Sequence, residues 1–232
     1  MALLFRPAAM PSLAILGATA RFPVRRIWCI GRNYAAHARE MGMDAREPPF
    51  FFAKPADALV AERRAGTGVR VPYPPATADL HHETELVAAL YRGGRDVPVA
   101  AALNLVYGYG VGLDLTRRDL QTEARKAGKP WEMAKGFDAS APVSALAPAA
   151  VVGHPQGWHL CLDVNGQRRQ SGTTADMIWS VAEALAALSR LVTLRAGDLL
   201  FTGTPDGVGA LARGDSLHAR IADFASLDVS ID

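Results

Sequence analysis

The chain has 232 residues, 50% of them hydrophobic and 21% charged, with a formal net charge of +2. That composition predicts a packed globular body burying on the order of 70% of its unfolded surface. It excludes a nucleic-acid surface, since no basic run carries interleaved aromatics, and no stretch approaches the ~20 apolar residues of a membrane span.

The two cysteines, Cys29 and Cys161, lie far apart in apolar surroundings. They offer neither a metal knuckle nor a disulfide framework and read as buried thiols in a reducing compartment. "PSLAILGATA" ends in a triplet like a signal cleavage site, but its apolar run is short and broken by Gly17. It reads as a mature strand, so residues 1–25 are expected to form an N-terminal strand segment ahead of a main body over 26–232, in a cytoplasmic protein.

In chain order, "IWCIG" predicts a strand, and "NYAAHAREMG" a short helix stopped by Gly42. "FFFAKP" is strand-like, and "VPYPPATADLHH" is a Pro-rich loop leading into "HHETELV" and the strand "ELVAALY". "VYGYGVGLDL" predicts a strand whose alternating Gly108, Gly110 and Gly112 suit close approach by another backbone or a ligand. "TRRDLQTEARKAG" reads as a helix ending at Gly128. "WHLCLDVNGQRRQ" contains Asn165-Gly166, a strong hairpin signal. "TADMIWSVAEALAALSRLV" is the longest amphipathic stretch, with Thr173 or Thr174 as its cap and Met177, Ile178, Val181, Leu185 and Leu188 on one face. "DLLFTGTP" is a strand running into a turn. Strands dominate and do not alternate regularly with helices, which argues for an α+β fold.

Three acids suggest chemistry. Glu83 and Glu85 stand two apart, so on a strand they share a face and repel unless water, a proton or a cation lies between them. Asp114 ends the glycine-rich strand. Converging carboxylates without cysteine suit a hard cation such as Mg²⁺ or Mn²⁺. The spacing alone fits an exposed strand face equally well, and His81 and His82 are further possible ligands.

Other residues join by position. On a helix, His37 and Glu40 share a face, and an imidazole beside a carboxylate can serve as a base for water. Lys135 stands in the apolar "WEMAKGFD", where it could neutralise an oxyanion or simply snorkel at the surface. The loop "FTGTPDGVG" offers backbone N–H groups and the Thr202 and Thr204 hydroxyls, as an anion-binding loop or a plain tight turn.

Taken together, "GRNYAAHAREMG", "PPFFFAKP", "HHETELV", "GYGVGLDLTRRDLQ", "WEMAKGFDASAPV", "VNGQRRQ" and "TGTPDGVG" resemble the fumarylacetoacetate hydrolase family, in the family's order, from about Arg26 to Gly214. The look is closest to its small acylpyruvate hydrolases, those of the gentisate pathway that cleave fumarylpyruvate above all. The resemblance implies a mainly β, mixed-sheet roll with few helices, catalytic over 26–232 and assembled as a homodimer. It implies a divalent metal, Mg²⁺ or Mn²⁺, on Glu83, Glu85 and Asp114, a His37/Glu40 dyad on a lid helix, and site roles for Lys135, Gln121 and Thr204. The implied reaction is hydrolysis of a C–C bond in a 2,4-dioxo acid. Glu40 paired with His37 activates water and Lys135 steadies the oxyanion. Arg32, Arg117 and Arg118 are the cations near enough in the motifs to meet a distal carboxylate. Oxaloacetate decarboxylase and keto–enol isomerase activities need the same enolate and remain alternatives, and a non-catalytic metal or dicarboxylate binder is a weaker one.

Overall fold

The computed structural model describes residues 4–34 and 47–232. Among them the strands form four sheets. The central one has eight strands. Its path runs Phe51–Lys54, Arg26–Ile30, Asp198–Phe201, Thr84–Leu90, Val106–Leu113, Ala141–Val143 and Leu59–Ala61, with Ala147–Pro148 paired off the path onto Val106–Leu113. A five-stranded sheet runs Gln167–Thr173, His159–Val164, Ser216–Ile221, Ala225–Ile231 and Val69–Val71. Parallel and antiparallel pairs mix in both sheets. This is the α+β architecture that the strand-rich pattern predicts, in the mainly β, mixed-sheet form with few helices that the family resemblance implies.

The central sheet is covered on both faces, and the period of two along its strands shows how. Leu86, Ala88 and Leu90 point into one core, with Leu160, Leu162 and Leu217 of the five-stranded sheet and Leu185 and Leu188 of a helix. Val87 and Ala89 point the other way, into a second core with Leu13 and Phe22. Those two residues belong to the short hairpin Ser12–Ala14 and Arg21–Pro23, which closes that face. Far ends of the chain are tied through Arg26, whose guanidinium donates to both oxygens of the fully buried Asp198 at 2.9 and 2.6 Å.

Local signals account for most turns. Asn165 and Gly166 take φ values of 52° and 75°, as a two-residue hairpin turn requires. The helix Arg118–Lys126 ends just before Gly128, at φ 61°. The long amphipathic stretch differs from expectation. Its helix is Val181–Leu191, capped by Ser180 in a box with Glu183. Thr173 caps only the short turn Thr174–Asp176. The segment between them is claimed by tertiary bonds: the Ile178 N–H donates to the Asn33 carbonyl, and the Trp179 N–H to Asn33 Oδ1, both at 2.8 Å. No helix among the described residues is long and apolar enough to cross a membrane.

Candidate active site

The antiparallel register between Thr84–Leu90 and Val106–Leu113 pairs Thr84 with Leu113 and Glu85 with Gly112. One step further, the Asp114 N–H donates to the Glu83 carbonyl at 2.8 Å, so Glu83 and Asp114 stand opposite each other. Glu85 follows two residues along, on the same face as Glu83. One oxygen from each of the three acids lies within 4.8 Å of the others. The glycines opposite make room beside them. A Cβ at Gly112 would stand 2.8 Å from Val87 Cγ2 and 2.9 Å from Phe201, so only glycine lets those side chains close against the strand.

Three cations reach the acids from other elements. Lys135, on the short helix Glu132–Lys135 and 2% exposed, donates to Glu83 Oε2 and Asp114 Oδ2, both at 2.7 Å. Arg118, at the start of its helix, donates to Glu83 Oε1 and to Gln121 Oε1. Lys54, from the strand Phe51–Lys54, brings Nζ to 2.8 Å from Asp114 Oδ1. Lys54 also donates to the Leu115 and Lys135 carbonyls, so the ammonium is held behind Asp114 by the backbone on either side.

The electrostatics separate the trio. Burial alone would raise the Glu83 carboxyl, but the charges of Lys135 and Arg118 win and bring it down to about 2. Glu85 goes the other way. Burial, then the charges of Asp114 and Glu83, hold it well above the usual carboxylate range, despite a 2.7 Å bond from the Gly203 N–H. Burial opposes the Lys135 charge, but Asp114 and Glu83 outweigh it and raise that ammonium. Glu85 is the one acid of the three in no ion pair with a described residue. Glu85, crowded by Asp114 and Glu83 in a buried position, is the acid whose charge a divalent ion would relieve. An all-oxygen donor set of this kind fits a hard divalent ion.

The acids lie at the base of a cavity of ≈ 290 Å³. Lys135, Arg118, Gln121, Thr204 and Arg32 line it as well, with Phe50, Phe52, Trp131 and Arg125 further along its wall. Arg32 adopts a left-handed backbone, φ 55°, and its guanidinium lies 5.7 Å from the Phe50 ring centroid. Thr204 Oγ donates to the Thr84 carbonyl and accepts from Gln170 Nε2, both at 2.8 Å. The structure thus brings Arg32, Glu83, Glu85, Asp114, Arg118, Gln121, Lys135 and Thr204 to one cavity. His37 and Glu40 lie outside the described residues.

The structure decides several readings that the sequence left open. The TGTP loop offers little to an outside anion: the Gly203 N–H is spent on Glu85 and the Thr202 hydroxyl on the Leu86 carbonyl. His81 bonds Asp79 at 2.8 Å and His82 bonds Gln170 at 2.9 Å, and neither belongs to the acid cluster. Arg117 leaves the cavity, donating to the Met133 carbonyl and stacking 4.5 Å from the Phe137 ring centroid. Lys54 and Gln170 were missed. Lys54 ends the apolar strand Phe51–Lys54 and Gln170 sits amid the polar strand Gln167–Thr173, and each is buried, at 2% and 1% exposure. Gln170 holds the Thr204 loop, accepting from the Thr84 N–H and donating to Thr204 and the Pro205 carbonyl.

The model of the fumarylacetoacetate (FAA) hydrolase C-terminal family matches residues 26–232. The chain belongs to the fumarylacetoacetate hydrolase family and is an enzyme of that family. Among solved structures it is similar to fumarylpyruvate hydrolase from Pseudomonas aeruginosa in complex with Mn²⁺ and pyruvate. That match has 52% identity and a TM-score of 0.96, and covers 99% of each chain. Among characterised relatives it is 45% identical over 202 residues to the oxaloacetate tautomerase YcgM of Escherichia coli K12, covering 87% of this chain and 90% of that one. It is 40% identical over 217 residues to the human mitochondrial oxaloacetate tautomerase FAHD1, covering 90% of this chain and 96% of the relative.

Proposed function

We propose that the protein hydrolyses a 3-acylpyruvate, with fumarylpyruvate cleaved to fumarate and pyruvate. The observation that carries this reading is the convergence of Glu83, Glu85 and Asp114 with Lys135 at the base of one cavity. The 52% identity to an enzyme named for that reaction supports the choice of substrate.

In this reading Glu83, Glu85 and Asp114 hold the divalent ion, Mg²⁺ or Mn²⁺, which supplies Lewis-acid charge at the pyruvate end. Glu40, oriented by His37, takes a proton from the water that adds to the C4 carbonyl. The C3–C4 bond then breaks, its electron pair stays on the pyruvate fragment, and a proton returns to C3. Lys135 has three donors and spends two on Glu83 and Asp114, leaving the third for a developing negative oxygen. Gln121 orients the dioxo oxygens through its amide N–H, Thr204 borders them with its hydroxyl proton held on the Thr84 carbonyl, and Arg32 pairs with a substrate carboxylate. The cytoplasmic homodimer expected from the sequence belongs to the same proposal.

A second reading is favoured by the two tautomerase relatives at 45% and 40% identity. Oxaloacetate tautomerisation moves a proton between C3 and an oxygen, and the same base and cations serve it. Purified protein assayed with fumarylpyruvate, acetylpyruvate and oxaloacetate, with and without Mg²⁺ or Mn²⁺, separates the two. Metal-dependent release of pyruvate from fumarylpyruvate supports the hydrolase. Enol–keto exchange of oxaloacetate with no cleavage of either acylpyruvate overturns it.

A further inference from the structure

Arg118 and Arg125 bracket one face of the helix Arg118–Lys126, and Gln121 and Thr122 between them also line the cavity. Arg118 reaches inward to Glu83. Arg125 stands seven residues further, about 10.5 Å along the axis on the same face. No hydrogen bond or ion pair engages its guanidinium among the described residues. The only carboxylates lining the cavity among those residues are the three at its base. Aromatic rings line the same cavity. Trp131 packs edge-on against Phe50 and Phe52, with centroids 5.5 and 5.9 Å apart.

From this juxtaposition we propose that Arg125 is the specificity residue for the acyl group, pairing with a carboxylate at its far end while the flat enoyl carbons lie against the Phe50–Trp131 wall. This rests on the reading that a 2-oxo acid binds with its pyruvate end at Glu83, Glu85 and Asp114. A cation at the outer end of an apolar wall suits an unsaturated seven-carbon dioxo diacid. Four-carbon oxaloacetate is too short to span from the acids to the second turn of that helix. Arg118 is committed to Glu83 at the acids, and Arg32 lies against the Phe50 ring.

The test compares fumarylpyruvate with crotonylpyruvate, which has the same carbon skeleton with a methyl in place of the terminal carboxylate. Two quantities are read in Mg²⁺: kcat/KM, and Kd from the fluorescence of Trp131 and its neighbours. The wild type is expected to bind the fumaryl compound about tenfold or more tightly. Arg125→Gln should bring that ratio close to one, and Arg125→Lys should restore part of it. Lys126→Gln, a neighbouring cation outside the cavity lining, should leave the ratio as it is. Wild-type binding without preference, no binding of either compound, or an unchanged ratio in Arg125→Gln would overturn the proposal. Preferential binding without cleavage would fail the hydrolase reading and leave the Arg125 subsite standing, because Kd does not depend on turnover.

Discussion

Lys54 Nζ lies 2.8 Å from Asp114 Oδ1, and both side chains are sealed from solvent, at 0% and 1% exposure. The site therefore carries a built-in cation behind the acid that completes its donor set. Removing one partner of a buried charge pair leaves the other uncompensated, at a cost of about 3–5 kcal/mol. Lys54→Met should accordingly lower the thermal midpoint of the metal-free protein by roughly 10 °C. Mn²⁺ should recover more of the loss in the variant than it adds to the wild type, since it restores charge beside Asp114. Melting curves with and without MnCl₂ test this, and equal midpoints would remove Lys54 from that role.

Glu85 should behave in the opposite sense. It is pressed by burial and by the charges of Asp114 and Glu83, and no ion pair with a described residue relieves it. Glu85→Gln removes the crowding and keeps an acceptor for the Gly203 N–H. The metal-free midpoint should stay level or rise. Mn²⁺ affinity should fall by more than the roughly 10–100-fold that losing an outer-shell partner costs. Titration calorimetry beside the melting curve reads both, and retained affinity would take Glu85 out of the metal site.

Glu40→Gln should keep substrate binding and lower kcat by about 10²-fold, as expected of a lost general base. Single-turnover kinetics at saturating fumarylpyruvate would isolate that step. An unchanged rate would assign the base to another group.

Acid stability should depend on Asp119. Burial opposes its charge, but bonds from the Thr77 hydroxyl and the Leu120 and Ala78 N–H groups outweigh burial and lower its pKa from 3.8. A folded-state pKa below the unfolded one gives stability that is present above the unfolded value and lost as pH falls through the folded one. Asp119→Asn should therefore be the less stable protein at neutral pH, with the gap shrinking below pH 3.8. Urea midpoints across pH 2.5–7 would show it, and a gap independent of pH would contradict the assignment.

The acid trio was legible through the family resemblance, because a spacing of two on a strand fits an exposed face equally well and only the joint run of motifs chose between the two. The hairpin at Asn165-Gly166 was legible from a local signal alone, a two-residue turn that needs positive φ. Lys54 was not, because nothing near it in sequence distinguishes a lysine that closes a strand from one that reaches solvent. Its partners Asp114 and Leu115 are about sixty residues away. Gln170 and Arg125 depend likewise on which elements meet in space. The start of the Val181–Leu191 helix was misplaced because Asn33, far upstream, claims the backbone of Ile178 and Trp179 that periodicity alone would assign to the helix.

The cross-strand pairing of Glu83 with Asp114 bears on how the chain folds as well as on what it binds. Sliding the Thr84–Leu90 strand by one residue against its partner would turn its side chains over. Glu83 and Glu85 would then face the core built around Leu86 and Leu113, where an unpaired carboxylate is strongly disfavoured. The same acids that qualify the cavity for a cation thus also raise the energy of the slipped pairing, so register and metal site are specified by one pair of side chains.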